Sequence, residues 1–455
     1  FSPSRSRKSF QYFYVDELSE KELKEMYATI VKGKFWDFEV DIKFLTQSIV
    51  RGSINTFNTI TTHFKEKGDL PTIANTFFIS DIKKVICGVL RSHKDCHDTK
   101  FEVVQQWVYE VFRTFRDRMT DDDSEKEVIN IVRKETKKAF NMDFDSVCED
   151  EDNFEPPLFG NILDTYGFYT DLDDDELDEY FPKKLEDYNS SGKFAQMDII
   201  FNRKIIENII RVLRVISEPG GHIIITGQSG NCRQSMARLA AYIYGMKIAI
   251  LDENQLGSAK SWKSVLRNVV RVAGVENSQY LLYVVPGSGD CENFLKVLTT
   301  LMAHGMDPLL LEGNEVKILE KKVPSKSQES RGLNNLSKNI MRNLHLVFAM
   351  DIEKPDLQEL VQRFPFLMSK FVINHITQYR KEDFEEIAHI YLQENMNESD
   401  YDKKEDLPEI LSDIYIKAKE LIRESTGVDV LKTSSFCSFL REFDFLTKND
   451  LWNFK

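Results

Sequence analysis

Cysteine, basic clusters and long apolar runs are all scarce in this sequence, and each scarcity excludes something. The six cysteines (Cys87, Cys96, Cys148, Cys232, Cys291, Cys437) form no CxxC pair, so neither a disulfide framework nor a zinc site is suggested. The thiols are expected to be reduced and intracellular. Lys and Arg number 60 against 74 Asp and Glu, and no Lys/Arg cluster stands out. A net charge of −14 offers no basic face to phosphates, so no nucleic acid is expected as a partner. No stretch approaches the roughly 18 to 20 unbroken apolar residues of a membrane span, and no membrane contact is expected. An initiator methionine is missing too. The chain opens at Phe1 and closes in LWNFK without a targeting signal, and the expectation is an internal piece of something longer.

What is present is a globular composition. The chain has 455 residues, room for two to four domains, and 42% of them are hydrophobic, enough for sizeable cores. A weak internal repeat lays SFQYFYVDELSEKELKEMYATI, from Ser9, against KFVINHITQYRKEDFEEIAHIY, from Lys370. Phe10 falls on Phe371, Leu23 on Phe384, Glu25 on Glu386 and Met26 on Ile387. Each copy reads as a short strand followed by a helix with apolar spacing of three and four. The same pattern arises by chance wherever a strand precedes a helix, so the alignment alone does not establish a repeat.

Between the copies lies an acidic stretch, including DLDDDELDEY at 171–180. The glycine and glutamate of a calcium loop do not fall in place there, and a solvated linker is expected. The residues 202–216 put Ile205, Ile206, Ile209, Ile210 and Leu213 on one helical stripe, ended by Glu218, Pro219, Gly220 and Gly221. Short apolar runs follow at HIIIT, KIAIL, YLLYVV and LHLVFAM, with helical patterns at QSMARLAAYIYG and 258–273. Strands alternating with helices predict a parallel sheet covered on both faces.

The loop after HIIIT holds the candidate site: Gly227, Gln228, Ser229, Gly230, Asn231, Cys232, Arg233, Gln234 and Ser235. A phosphate loop of the GxxxxGK[ST] kind works through inward backbone N–H groups, the positive end of a helix, a lysine for the outer phosphates and a hydroxyl for magnesium. Gly227 fills the first glycine position. Cys232 stands at the second, where a Cβ restricts positive φ and crowds the phosphates. Arg233 replaces the lysine, keeping charge but not the compact ammonium. Gln234 replaces the hydroxyl, and Ser235 comes one residue late, about 100° further round the helix. Hydrolysis further needs carboxylates near the end of a neighbouring strand, yet YLLYVV runs into Val285 and Pro286, with Asp290 and Glu292 beyond in an expected loop.

HIIITGQSGNCRQSMARLAAYIYG resembles the phosphate loop and following helix of the fourth AAA+ module of dynein heavy chains, whose pattern is close to GxGGSG[KR]QSLxRLAA. Arg233, Gln234, Ser235, Arg238, Leu239, Ala240 and Ala241 follow that pattern, while Ser229, Asn231 and Cys232 depart from it. FFISDIKKVICGVL, from Phe77, and WVYEVFRTFRDRMTDDDSE, from Trp107, are similar to the lid of the third module, with Ser80 at its sensor arginine. Phe1 onward resembles the segment around that module's arginine finger, with Arg5 at the arginine. FLKVLTTLMAHGMDPLL, from Phe294, is similar to the segment after the fourth module's acidic pair, which aligns Val285 and Pro286 with the two acids. RNLHLVFAMD, from Arg342, resembles the sensor strand with Asp351 in place of asparagine, and Lys370 stands at an arginine of the family. LKTSSFCSFL, after the helix from Leu407 that stops at Gly427, resembles the run preceding the coiled-coil stalk.

The resemblance implies an α/β fold: an AAA+ P-loop parallel sheet with helical lid subdomains. It implies four parts: residues 1–142, the C-terminal part of a third module, mostly lid; 143–200, an acidic linker and entry; 201–378, the large subdomain of a fourth module; and 379–455, its lid and stalk base. ATP or ADP and Mg are the implied cofactors. The expectation is a motor-ring segment that binds nucleotide weakly or not at all, does not hydrolyse it and serves a structural or regulatory role. Two other readings remain open: an active ATPase module using Asp290 or Glu292, and a dynein-related scaffold without motor activity. Implied partners are the other AAA+ modules of the same chain, a microtubule reached through a stalk, and dynein intermediate and light chains reached through a tail. Implied locations are the cytoplasm and cytoskeleton, with the run Arg233, Gln234, Ser235 favouring the ciliary axoneme.

Overall fold

The run His222–Thr226 shows no polar alternation, and a strand of that kind must be covered on both faces. A computed structural model describes residues 13, 14, 16, 18–67, 75–148, 157–192, 194–286, 292–311, 313–322, 332–351, 363–395, 406–427 and 431–448. Arg5, Asp290 and Cys291, and most of the strand expected at 9–15, lie outside these residues.

The strands are β1 (Leu158–Gly160), β2 (Thr170–Leu172), β3 (His222–Thr226), β4 (Lys247–Leu251), β5 (Tyr280–Val284), β6 (Leu344–Met350) and β7 (Phe371–His375). β1 and β2 pair as an antiparallel hairpin. The other five form a parallel sheet in the order β4-β5-β6-β3-β7, which puts the strand leading into the candidate site between β6 and β7. Successive residues of one strand enter different cores, as the period of two requires. Ile224, Leu282, Leu346 and Phe348 face one layer, while Ile223, Ile225, Leu281, Tyr283 and Val347 face the other.

The described helices used below are α1 (Glu20–Lys34), α2 (Thr46–Glu66), α3 (Ile79–Val89), α4 (Lys100–Val111), α5 (Asp122–Phe140), α6 (Asp174–Ser190), α7 (Arg203–Ile216), α8 (Arg233–Ile243), α9 (Ala259–Val269), α10 (Glu292–His304), α11 (Gly332–Asn343), α12 (Lys381–Asn395), α13 (Leu407–Thr426) and α14 (Thr433–Lys448). Helices α9, α10 and α11 cover one face of the sheet, and α6, α7, α8 and the hairpin cover the other. Helices α1 to α5 build an N-terminal unit around Phe35, Ile49, Val85, Trp107 and Phe112. A smaller C-terminal unit, α12 to α14, closes around Phe384, Leu411, Tyr415, Phe436 and Leu440.

Two expectations change. The acidic stretch 171–180 is no linker: it forms β2 and the start of α6. Asp173 caps that helix by accepting from the Glu176 N–H (3.1 Å), three further acids sit at the positive end of its dipole, and Leu177, Phe181 and Tyr188 are buried. Glu292 is not in a loop but opens α10, where it pairs with Lys296 (2.6 Å). In the repeat, both copies carry the helix, α1 and α12, and the same face is buried, Leu23, Tyr27 and Val31 matching Phe384, Ala388 and Leu392, although Met26 is exposed where Ile387 is buried.

The N-terminal unit meets the sheet through charge. Glu110 on α4 is fully buried and accepts from Arg214 Nε of α7 (3.2 Å) and from the Tyr169 hydroxyl (2.8 Å), with Arg214 Nη2 on its other oxygen. Burial opposes the charge on Arg214, but the Glu110 carboxylate outweighs it and holds the guanidinium's pKa well above its usual value. Gly88 of α3 makes the room: a Cβ there would lie 1.9 Å from Glu110 Oε2. Close by, Arg91 donates to the Arg214 carbonyl (3.1 Å) and Ser217 Oγ (2.7 Å), and Lys84 donates to the Phe371 carbonyl (2.8 Å).

Candidate nucleotide site

Strand β3, the loop 227–232 and helix α8 follow one another without a break, which is the local framework a phosphate loop needs. Gly227 has φ +142, and a Cβ there would come within 2.9 Å of the Ile376 carbonyl oxygen. Gly230 has φ +96. Cys232, expected to resist positive φ, nevertheless adopts the left-handed conformation at φ 53 and ψ 16 as the residue before α8. The fold holds it there at a cost of about 1 to 2 kcal/mol. The backbone path of a phosphate loop therefore survives the loss of the glycine.

The side chains do not follow the backbone. Arg233 reaches the end of β6, where Nη1 donates to the Met350 carbonyl (2.7 Å) and Nη2 to Asp351 Oδ1 (2.6 Å). Gln234, with its amide oriented to suit its neighbours, accepts from Arg238 Nη2 (2.8 Å) one turn further along α8. Ser235 is half-buried, Gln228 is partly covered and Ser229 is exposed. Asn231 is buried and accepts from the Thr433 hydroxyl (2.9 Å) at the start of α14, so the C-terminal unit sits against the loop. A Cβ on Gly230 would meet Lys432 Cβ at 2.8 Å, and the Tyr415 hydroxyl holds that segment by donating to the Lys432 carbonyl (2.6 Å).

The chemistry left at this site is sparse. After β5, Val285 donates its N–H to Leu251 (2.9 Å) and Pro286 follows, so neither position supplies a carboxylate for a metal or an attacking water. Burial raises the pKa of the Cys232 thiol and pushes Cys437 up to about 11 and Tyr283 up to about 12. These groups stay protonated near neutral pH, and none is an activated nucleophile. At the end of β7, His375 Nδ1 lies 3.1 Å from the Thr226 hydroxyl, and burial pushes its pKa down to about 4. Its backbone N–H donates to Asp117 of the N-terminal unit (2.6 Å), so that unit touches the strand pair from which the loop springs.

A magnesium ion does not fit these residues, because Gln234 replaces the hydroxyl and Val285 and Pro286 replace the acids. What remains for a phosphate is the loop's backbone and the N-terminal end of α8. Two described cavities, of about 500 Å³ beside Tyr188, Tyr242 and Ile248 and about 110 Å³ beside Asp117, Lys204 and His375, are lined by none of residues 227–235.

Sequence reasoning located the loop, the strand and the helix. It noted Asp351 but not its pairing with Arg233, and it missed Thr433 and His375 altogether. Thr433 acts across 202 residues of chain and His375 across 149, and neither stands in a pattern that points back to the loop.

Known proteins match the chain as follows. Residues 197–446 match the family described as P-loop containing dynein motor region D4, and residues 51–151 match the AAA+ lid domain. Dynein axonemal heavy chain 2 of Mus musculus is 27% identical over 82% of this chain and 8% of its own length. The Dynein-1-beta heavy chain of the flagellar inner arm I1 complex of Chlamydomonas reinhardtii is 23% identical over 84% of this chain and 9% of its own. A cytoplasmic dynein heavy chain of Paramecium tetraurelia is 23% identical over 79% and 8%. The chain thus spans under a tenth of the length of these relatives.

Proposed function

We propose that this chain, which belongs to the dynein heavy-chain family, is a motor-ring segment whose phosphate loop has kept its fold and lost its catalysis. The observation that carries the reading is the pair Val285 and Pro286 at the end of β5, beside a loop whose arginine is already engaged by Asp351. Without a carboxylate at either position, the end of β5 offers no group to orient a water or complete a magnesium shell. The segment binds nucleotide weakly or not at all. Its work is mechanical: the buried seam of Glu110, Arg214 and Tyr169 joins the N-terminal unit to the sheet, and Asn231 with Thr433 joins the sheet to the C-terminal unit.

In the larger protein, this reading makes the N-terminal unit the lid of a preceding AAA+ module and makes neighbouring modules the immediate partners. Microtubule contact through a stalk, intermediate and light chains through a tail, and an axonemal location extend the same reading. The test is ATP turnover by the full chain with magnesium present. The expected rate is indistinguishable from buffer, and turnover that is abolished by Arg233→Ala would overturn the reading.

A further inference from the structure

Within residues 227–235 the positive charge is that of Arg233, and the protein's own groups accept a hydrogen bond from each of its two terminal nitrogens. Nη1 is bonded to the Met350 carbonyl and Nη2 to Asp351, with one-tenth of the arginine side chain exposed against one-third of the aspartate's. The register explains why these groups meet. Met350 pairs with Thr226, so the residue after β6 lies beside Gly227, the first residue of the loop, whose N–H also donates to the Met350 carbonyl (3.3 Å). A carboxylate anchored there is next to any phosphate the loop would cradle.

We propose that Asp351 is a built-in competitor for phosphate, and that a nucleotide's phosphates entering the loop compete with Asp351 for Arg233. The inference rests on the proposed reading, in which the backbone cradle persists without catalysis. A guanidinium has further N–H donors beyond the two bonded here, but a phosphate would meet it with its charge already offset by Asp351 and its direction fixed by the Met350 carbonyl. Asp351 opposes phosphate twice, by holding the cation and by repelling a second anion. The asymmetry of exposure makes the contact displaceable, since the aspartate turns into water while the arginine stays by the loop. The ligand class is a nucleoside di- or triphosphate, whose several charges offset the lost ion pair, rather than a single phosphate ion.

The test is equilibrium binding of a fluorescent ADP analogue to the full chain without magnesium, with inorganic phosphate as the competing probe. Asp351→Asn is expected to bind the analogue at least about tenfold more tightly than the wild type, the scale of one charge-assisted contact regained. Asp351→Ser is expected to do the same and serves if the first variant does not fold, as judged by thermal unfolding. Adding Arg233→Ala to either variant should remove most of the gain, leaving only the part that comes from relieved repulsion. Folded Asp351 variants with unchanged affinity would overturn the proposal, as would a gain that survives Arg233→Ala undiminished or one that millimolar phosphate reproduces as well as the nucleotide. ATP turnover measured on the same samples separates the two ideas, because hydrolysis by the wild type sinks the non-catalytic reading, whereas unchanged affinity sinks only the competition.

Discussion

Among the arginine–carboxylate pairs of this molecule, two do opposite things. Glu110 and Arg214 meet inside the seam between the N-terminal unit and the sheet, with side-chain exposures of 0% and 8% and a tyrosine hydroxyl filling a further acceptor site. Arg233 and Asp351 meet at the rim of the phosphate loop, with exposures of 10% and 33%. A buried pair is costly to break from one side, because the remaining charge has no water to return to. A rim pair has water beside it and exchanges partners readily. The first therefore behaves as a fastening and the second as a contact a ligand can replace.

The sharpest way to break the comparison is Glu110→Ala. It strands Arg214 and leaves the Tyr169 hydroxyl without its acceptor, and urea unfolding should show a loss of about 3 to 5 kcal/mol. A loss below about 1 kcal/mol would mean the seam is no stronger than the rim. Next comes Gly88→Ala, whose new methyl would collide with Glu110 Oε2 and push the carboxylate off Arg214. Overpacking of this kind costs about 2 to 3 kcal/mol, and a melting temperature equal to the wild type's would argue that the helix simply shifts.

Acid probes the sheet that lies between the two pairs. Burial pushes His222 down to about 3 and His345 down to about 4. Both are neutral in the fold, while in the unfolded chain they take protons near pH 6.5, so the unfolded state binds more protons as the pH falls. The stability from keeping them neutral is complete above that pH. It drains as the pH drops toward the folded values, by about 2 kcal/mol per histidine between pH 7 and 5. Denaturation at both pH values should show a shallower loss for His345→Gln, and an unchanged loss would remove the histidines as its cause. The smallest effect is expected at the loop. Cys232→Gly relieves the left-handed backbone but gives up a half-buried side chain, and thermal unfolding should move by less than about 1 kcal/mol in either direction.

Much of the sheet was legible because its strands are buried on both faces and read as unbroken apolar runs. LHLVFAM became β6 residue for residue, and the stripe of Ile205, Ile206, Ile209, Ile210 and Leu213 became the buried face of α7. The acidic stretch was misread because composition hides position: the same aspartates that look like a linker act as cap and first turn once Leu177, Phe181 and Tyr188 have a core to enter. At the loop, the missing glycine was visible but its outcome was not. Whether Cys232 breaks the left-handed turn or is forced into it depends on the strands and helix that clamp both sides.

The sequence alone determined the residue types at the site, and with them the absence of a carboxylate at Val285 and Pro286 and of a hydroxyl at Gln234, since no packing changes what those side chains are. It also determined the alternation of strand and helix, because burial on two faces demands apolar residues at consecutive positions. Only the tertiary structure decided where the charges went. Glu110 and Arg214 are 104 residues apart, Arg233 and Asp351 are 118 apart, and a strand register fixes the second of these meetings. Partners so distant carry no local pattern, and which cation faces which acid is settled only when the sheet brings their elements together.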